Sequence, residues 1–387
     1  MTSVGEWVRG ARPWTLAMGA SPVVIGAAAS WNRVMKGVWG GAMAHAACPI
    51  AGGRPRTGLA SGQGVCVTSP AWFLAVAALC LVASLALQVA ANYLNDYFDG
   101  VRGVDEGRNG IAAAGGGVVE AVGGVGSGSD GSTRAVAPSR LVASGIRPRS
   151  VLKAGVVALV IAAASGLAVV VLTGHVLLLV VGALSALAAW AYTGGRNPYG
   201  YRGWGEAMAF LFFGPVACVG TQWALMGGLG SVAGLDPSSV IMSLVPGCCS
   251  ACLMMVNNLR DLPSDAEAGK RTLMVHLGRR RGTRLFSLSM AVAVVSPVLF
   301  LWSLQPWSRM GETDCGVTSD GLRSCLPSGP SVPLTWTVVA CAVMLAVAGI
   351  AAAITVRGRH WRPALRLCSA VAVLSCIVVS LTAVAMA

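Results

Sequence analysis

The chain has 387 residues, of which 55% are hydrophobic and only 11% are charged. Its mean hydropathy of +0.70 excludes a soluble domain of ordinary composition, because such a domain would expose large apolar patches. A hydrocarbon core about 30 Å thick is crossed by a helix of about 20 apolar residues. By that measure the sequence predicts an all-α integral membrane protein with nine transmembrane helices, near 14–31, 71–95, 151–173, 175–193, 206–228, 239–257, 283–304, 333–356 and 364–386.

The net charge of +13 could indicate binding to nucleic acid, but the distribution of the charge favours a different partner. With the N-terminus in the cytoplasm, 22 of the 28 Lys and Arg fall in the N-terminal tail or at cytoplasmic loops and helix ends. This asymmetry follows the positive-inside rule. We therefore predict a multi-pass protein of the cell membrane, with the lipid bilayer and not a nucleic acid as its partner.

A single membrane domain is expected over residues 1–387, since no segment between the helices has both the length and the apolar content to bury a core. Flexible insertions are predicted at 32–70, 106–133 and 305–332. The second of these contains ten glycines in 28 residues. The other two are predicted to face outside, where disulfides could form. These two segments contain Cys48, Cys66, Cys315 and Cys325, and the sequence does not determine which of them would pair.

Acidic residues concentrate at the cytoplasmic ends of two predicted helices, in NYLNDYFDGVRGVD and NNLRDLPSDAEAGKRTL. In the first segment, helical spacing places Asn92, Asp96 and Asp99 on one face. In the second segment, residues 257, 261 and 265 are spaced by four. Their side chains, those of Asn257, Asp261 and Asp265, share a face if the helix continues through the proline at 263; otherwise the helix breaks there.

Neighbouring carboxylates repel one another, so a cation is needed between them. Mg²⁺ suits this role, because it prefers oxygen ligands and typically binds one or two carboxylates together with substrate phosphates. Two such clusters facing each other would hold a diphosphate through bridging metal ions. The predicted metal-binding and catalytic carboxylates are Asp96, Asp99, Asp261 and Asp265.

Cations beside these carboxylates suit the oxygens of a diphosphate. The candidates are Arg102, Arg140, Arg260, Lys270 and Arg271. Basic residues at cytoplasmic helix ends are also expected from the positive-inside rule, even where they bind no ligand. For Arg279, Arg280 and Arg281 we prefer that explanation. Aromatic faces could stabilise a carbocation formed by loss of diphosphate, which makes Tyr192 and Tyr199 candidates. An interfacial aromatic belt explains both tyrosines equally well.

The two aspartate-rich segments resemble the paired motifs of the UbiA superfamily of intramembrane prenyltransferases. The resemblance extends, in the same order, to ARPWTLAMGASPVVIGA, RLVASG, YTGGRNPYGYRGWGE and FLFFGPVACVGT. The RLVASG and YTGG segments are similar to the branch that acts on 1,4-dihydroxy-2-naphthoate in menaquinone biosynthesis. This resemblance implies nine helices around a central cavity, with cytoplasmic cap loops and a lateral opening for a prenyl tail.

The resemblance also implies roles for individual residues. Asp96 and Asp99 would bind one Mg²⁺ and the second aspartate pair another, with a polyprenyl diphosphate between them. The amides at motif positions that would support this arrangement are Asn92, Asn95 and Asn258. Five residues separate Asp99 from Asp105, a longer spacing than in the wider superfamily, so Asp105 is a doubtful ligand.

The implied reaction transfers a polyprenyl chain to the naphthoate ring with loss of its carboxylate as CO₂. A related transferase could instead act on 4-hydroxybenzoate, homogentisate or a chlorophyllide, because all of these enzymes share the aspartate chemistry. A secondary transporter is the alternative from a different class, since such proteins also carry membrane carboxylates. It is disfavoured because the aspartates lie at helix ends and not at the midplane.

Overall fold

The computed structural model describes most of the chain, including every segment that carries a predicted site residue. The described residues are 4–36, 54–56, 65–67, 69–103, 140–226, 237–304, 313–317, 323–327 and 332–385. Cys48, Asp105 and the glycine-rich insertion at 106–133 lie outside them.

Eleven helices form the described part of the chain. Their bounds are α1 Val4–Ala11, α2 Leu16–Lys36, α3 Pro70–Val101, α4 Pro148–Thr173, α5 Leu177–Ala191, α6 Gly205–Met226, α7 Pro237–Arg260, α8 Leu262–Glu267, α9 Leu273–Leu304, α10 Val332–Arg357 and α11 Trp361–Ala385. Without the short α1 and α8, these helices correspond one to one with the nine predicted spans, which confirms the all-α membrane fold.

Seven of the described helices are long enough and apolar enough to cross a membrane. The two others that match predicted spans are α2, whose 21 residues end at Lys36, and α5, which has only 15 residues. The bundle presents large apolar side chains on its outer surface, such as Val171, Leu187 and Ile354. Such a surface is stable in a bilayer and not in water.

Local sequence signals set several helix ends and bends. The Ser69 hydroxyl accepts a hydrogen bond from the Trp72 backbone N–H, so Ser69 caps the start of α3. Helix α4 ends at Gly174, whose φ of 74° is a left-handed conformation that glycine adopts without strain. Within α6, residues 212–216 form a π-helical turn around Pro215. Such turns interrupt the regular hydrogen-bond ladder and occur frequently at functional sites.

Antiparallel two-stranded sheets lie within two of the segments predicted as flexible insertions. One pairs β1 (Arg54–Arg56) with β2 (Val65–Val67), and the other pairs β3 (Thr313–Val317) with β4 (Arg323–Pro327). The register of the second sheet places Cys315 directly opposite Cys325. The sequence analysis did not predict these strands, because their segments are too short to show an alternating pattern.

Alternation of helix direction brings the candidate residues to one end of the bundle, which we call the proximal end. Here α2, α4, α6, α9 and α11 begin and α3, α5, α7 and α10 finish. At the opposite, distal end a second buried cluster includes Phe73, Val76, Val169 and Ala224. The main core lies among α7, α9, α10 and α11 and is filled by side chains such as Met255, Phe286, Leu345 and Cys368.

Candidate active site

A cavity of about 660 Å³ opens from the proximal end into the bundle. Most of the predicted site residues line it, including Asn92, Asp99, Arg140, Tyr192 and Lys270. Helices α3, α5 and α6 continue its wall toward the distal end with mainly apolar side chains. The site therefore joins a charged mouth to an apolar interior.

Asp99 is the centre of the charged cluster and is fully buried. Arg140 Nη1 lies 2.7 Å from Asp99 Oδ2, and Lys270 Nζ lies 3.0 Å from the same oxygen. The Tyr201 hydroxyl donates a short hydrogen bond to Asp99 Oδ1. Two cations and a phenol thus hold one buried carboxylate, as burial of a charge requires.

Asp96 is buried one helical turn before Asp99 but does not line the cavity. Its Oδ1 lies 2.5 Å from Arg12 Nη2 and 3.9 Å from Arg140 Nη1. The Leu141 backbone N–H donates to its other oxygen at 3.3 Å. Arg140 therefore lies beside both carboxylates, as expected from their shared helical face.

The second aspartate pair belongs to the junction of α7 and α8. The helix breaks at Asp261, which resolves the alternative that the sequence left open. Arg260 forms a two-point ion pair with Asp261, with N–O distances of 2.7 and 2.9 Å. Asp265 is buried, and its backbone N–H donates to the Asp261 carbonyl at 2.8 Å. Both carboxylates line the same cavity as Asp99.

All four predicted asparagines line the cavity: Asn92, Asn95, Asn257 and Asn258. Asn92 Nδ2 donates to the Ala11 carbonyl at 2.9 Å, which ties α3 to the N-terminal segment. Asn258 Nδ2 donates to Glu206 Oε1 at 2.8 Å, which ties α7 to α6. The amide donors of Asn92 and Asn258 thus contact neighbouring segments of the chain.

Three tyrosines lie in or near the segment between α5 and α6. Tyr192 and Tyr199 are a tilted ring pair with centroids 5.6 Å apart, and both line the cavity. Lys270 Nζ lies 4.4 Å from the centre of the Tyr201 ring, a favourable cation–π distance. Burial raises the pKa of each of these phenols, and the Asp99 charge raises the pKa of Tyr201 further. They remain protonated at neutral pH.

Arg102 and Arg271 are the two predicted cationic ligands that do not line the cavity, and both are exposed. The Arg102 guanidinium donates to the Thr193 carbonyl and, at 2.6 Å, to the Gly195 carbonyl. It therefore fastens the end of α3 to the loop after α5. The Arg271 backbone N–H donates to the Tyr201 carbonyl at 2.8 Å. In these positions both residues support the loop that carries Tyr201.

Arg12 and Tyr201 were missing from the predicted site residues. Arg12 has a φ of 53°, which is unusual for any residue with a side chain, and it lines the cavity while contacting Asp96. The sequence feature that could have indicated Arg12 is its position in ARPWT, one of the segments that resemble the UbiA superfamily. Tyr201 lies in YTGGRNPYGYRGWGE, which gave no indication of which tyrosine would contact an aspartate. On α11, Arg362 and Arg366 also line the cavity.

The donor set suits a hard divalent cation that binds together with phosphate oxygens. Carboxylates of Asp99, Asp261 and Asp265 and several amides surround one cavity, and oxygen donors are what Mg²⁺ prefers. Among the described residues, no three His, Cys, Asp or Glu side chains are grouped closely enough to hold a metal alone.

Comparison with known proteins identifies the fold and its family. The model of the UbiA prenyltransferase family matches residues 57–310. The chain belongs to this family. Among UbiA proteins of known structure, the apo structure of a homolog from Aeropyrum pernix K1 superposes with a TM-score of 0.53. The overlap covers 95% of this chain and 97% of that chain at 13% sequence identity, so it shows the shared UbiA fold.

Curated relatives of this UbiA protein include three that carry the name 1,4-dihydroxy-2-naphthoate octaprenyltransferase. The Mycobacterium tuberculosis protein is 35% identical over 314 residues, which cover 80% of this chain and 82% of the relative. The Mycobacterium leprae protein is 30% identical over 365 residues, covering 92% and 99%. The Escherichia coli protein is 30% identical over 270 residues, covering 66% and 77%.

Proposed function

We propose that this UbiA protein transfers a polyprenyl chain from a polyprenyl diphosphate to 1,4-dihydroxy-2-naphthoate, with decarboxylation, giving demethylmenaquinol. The observation that carries this proposal is the single cavity that joins buried aspartates and cations to an apolar interior. A prenyl diphosphate has the same two parts. The acceptor is inferred from the relatives named above.

The charged mouth would bind the diphosphate. Lys270 and Arg140 lie beside Asp99, and Arg260 lies beside Asp261, so cationic side chains are present beside both aspartate clusters. Bound Mg²⁺ would neutralise the phosphate oxygens and improve diphosphate as a leaving group. The metal-binding residues we propose are Asp96, Asp99, Asp261 and Asp265. Asp96 does not itself line the described cavity, but its carboxylate contacts Arg12 and lies 3.9 Å from Arg140, and both of these arginines line it.

The bond between the first prenyl carbon and its diphosphate oxygen then breaks, and the electron pair leaves with the diphosphate. The allylic cation must be shielded from water, which the apolar helices around the cavity would provide. The Tyr192 and Tyr199 rings lie where their faces could stabilise that cation. The ring carbon of the acceptor that bears the carboxylate forms the new bond, and CO₂ leaves while its bonding electrons return to the ring.

The proximal end is proposed to face the cytoplasm. Basic residues at this end include Arg12, Arg140, Arg260, Lys270 and Arg366, as the positive-inside rule expects for a cytoplasmic surface. Both substrates would therefore enter from the cytoplasmic side, with the prenyl tail in the membrane. Cysteine labelling with a membrane-impermeant maleimide would test this orientation, and labelling of exposed proximal positions in intact cells would contradict it.

The direct test is prenyl transfer in membranes that contain this protein. We would supply octaprenyl diphosphate with Mg²⁺ or EDTA, and either 1,4-dihydroxy-2-naphthoate or 4-hydroxybenzoate. Product from the naphthoate alone, requiring Mg²⁺ and accompanied by CO₂, is the expected result. Product only from 4-hydroxybenzoate would retain the reaction class and overturn the acceptor. Proton-dependent uptake without any transfer would favour the transporter alternative.

A further inference from the structure

Glu206 is a buried acidic residue beside the cavity, although it does not line it. It belongs to the first turn of α6 and is 2% exposed. Its Oε1 accepts the hydrogen bond from Asn258 Nδ2, whereas its Oε2 is buried and has no hydrogen-bond partner among the described residues. A buried carboxyl group with an unpartnered oxygen destabilises a fold. Packing alone therefore does not explain why a glutamate is at this position.

The local sequence brings this carboxyl group against α7. Gly205 comes directly before it, and a Cβ atom added at residue 205 would lie 3.0 Å from Met254 Sδ, so glycine leaves room for α6 to begin this close to α7. Met254 and Asn258 are four residues apart and share one face of α7, which places the Asn258 amide within reach of Glu206. The charge of Asp265 repels that of Glu206 at this position. The contact is thus kept in spite of an unfavourable neighbour.

Contact with a carboxylate decides which end of the Asn258 amide faces the cavity. A side-chain amide has one end that donates hydrogen bonds and one that accepts them, whereas a carboxylate only accepts. Glu206 therefore binds the amino end of Asn258 and leaves the Oδ1 end for the cavity, which Asn258 lines. Asn258 is three residues before Asp261, about one helical turn, so this oxygen belongs to the region of the second aspartate pair.

We propose that Glu206 is a positioning residue, which holds the Asn258 side chain so that its oxygen and not its amino group faces the metal-binding end of the cavity. This inference rests on the proposed function. Mg²⁺ prefers oxygen ligands, and the hydrogens of a reversed amide would repel a cation. Residues that orient the groups around a metal in this way typically change metal affinity about 10- to 100-fold when they are mutated.

Two substitutions of Glu206 separate orientation from charge, since each removes one negative charge. Glu206→Leu removes every acceptor for the Asn258 amino group, so the Mg²⁺ concentration for half-maximal transfer should rise at least about tenfold. Glu206→Gln keeps one acceptor oxygen but could also donate to a reversed Asn258 amide. Its Mg²⁺ requirement should therefore rise less, by about two- to fourfold.

A double variant should restore the arrangement. In Glu206→Gln combined with Asn258→Asp, the amide at residue 206 would donate to the carboxylate at residue 258, and the second oxygen of that carboxylate would still face the cavity. Both ends of an aspartate side chain are oxygens, so its orientation no longer matters. The Mg²⁺ requirement should return to within about twofold of the wild-type value.

Two measurements are made on each variant. The first is the Mg²⁺ concentration for half-maximal transfer, in membranes with matched amounts of folded protein. The second needs no turnover: it is the rise in melting temperature in detergent when Mg²⁺ is added with a non-hydrolysable prenyl diphosphate analogue. The kcat at saturating Mg²⁺ should change less than the Mg²⁺ requirement. Glu267→Leu is the matched control, because it removes an exposed carboxylate from α8, and it should behave as wild type.

An unchanged Mg²⁺ requirement in Glu206→Leu, with or without a lower melting temperature, would show a purely structural role and overturn the inference. Equal increases in Glu206→Leu and Glu206→Gln would overturn it too, because they would indicate an effect of charge alone. If Glu206→Leu does not accumulate in membranes, the comparison of Glu206→Gln with the double variant decides, and absence of recovery overturns the inference. Absence of both transfer and a Mg²⁺-dependent melting shift in the wild-type protein would instead contradict the proposed function.

Discussion

Replacing Asp99 with asparagine removes the charge at the centre of the site and keeps the shape of the side chain. In the Asp99→Asn variant, Arg140 and Lys270 lose the carboxylate that both now contact. Breaking a buried ion pair on one side typically costs about 3–5 kcal/mol, because the other charge stays buried. At about 2 °C per kcal/mol for a large domain, the melting temperature in detergent should fall by about 6–10 °C.

A second variant separates stability from catalysis. Asp99→Asn combined with Lys270→Met removes one positive and one negative charge, so it should recover about half of the lost stability. Prenyl transfer should be absent in both variants, because both lack the proposed metal-binding carboxylate and the double variant also lacks Lys270, a proposed diphosphate ligand.

Glu267→Gln is the control for a simple charge change. Glu267 is on α8 and is exposed, so the variant should match wild type in melting temperature and turnover. The measurements are thermal unfolding in detergent and product formation in membranes. Wild-type stability and turnover of Asp99→Asn would refute the role of Asp99. Return of activity in the double variant would show that Asp99 acts only through charge balance.

Four further predictions follow from the same contacts. Tyr201→Phe removes a hydrogen-bond donor to Asp99 and should lower kcat/KM about tenfold. In the wild-type protein the pKa of Tyr201 is raised, so its phenol should not ionise between pH 7 and 9 and turnover should not fall for that reason. Arg12→Ala should be less stable than Arg12→Gly by about 1 kcal/mol in the free energy of unfolding, and so should melt at a lower temperature, because only glycine adopts a φ of 53° without strain; equal melting temperatures would contradict this. Deletion of residues 106–133 should leave membrane expression and melting temperature unchanged, and loss of expression would show that the insertion is structural. Mg²⁺ titrated alone should raise the melting temperature much less than Mg²⁺ with a non-hydrolysable prenyl diphosphate analogue, and equal shifts would contradict a shared site.

Local periodicity was enough to predict that two of the candidate aspartates lie side by side. Asp96 and Asp99 lie three residues apart on one helix, so helical geometry alone places them on one face. The nine apolar runs were equally clear, because a helix in lipid must be apolar over most of its length. For Asp261 and Asp265 the sequence left two alternatives, since the effect of Pro263 depends on the packing of α8.

Contacts between distant parts of the chain could not be predicted in the same way. Arg12 reaches Asp96 across 84 positions, and Lys270 reaches Asp99 across 171 positions. Arg102 and Arg271 follow candidate residues in the sequence, but both side chains are exposed and neither lines the cavity. In a helix end or turn, neighbouring side chains point in different directions, so Lys270 is buried at the site while Arg271 is not.

The balance of charge explains why metal and diphosphate would bind together. Six cations line the described cavity, namely Arg12, Arg140, Arg260, Lys270, Arg362 and Arg366, whereas three aspartates do. A bare Mg²⁺ would add charge to a site that is already positive, and its carboxylate ligands are held by Arg and Lys. A diphosphate supplies the missing negative charge and offers those cations an alternative partner. The aspartates could then bind the metal, while the Arg and Lys side chains that now pair with them would pair with the diphosphate. On this reasoning, the metal site would assemble only when the substrate binds.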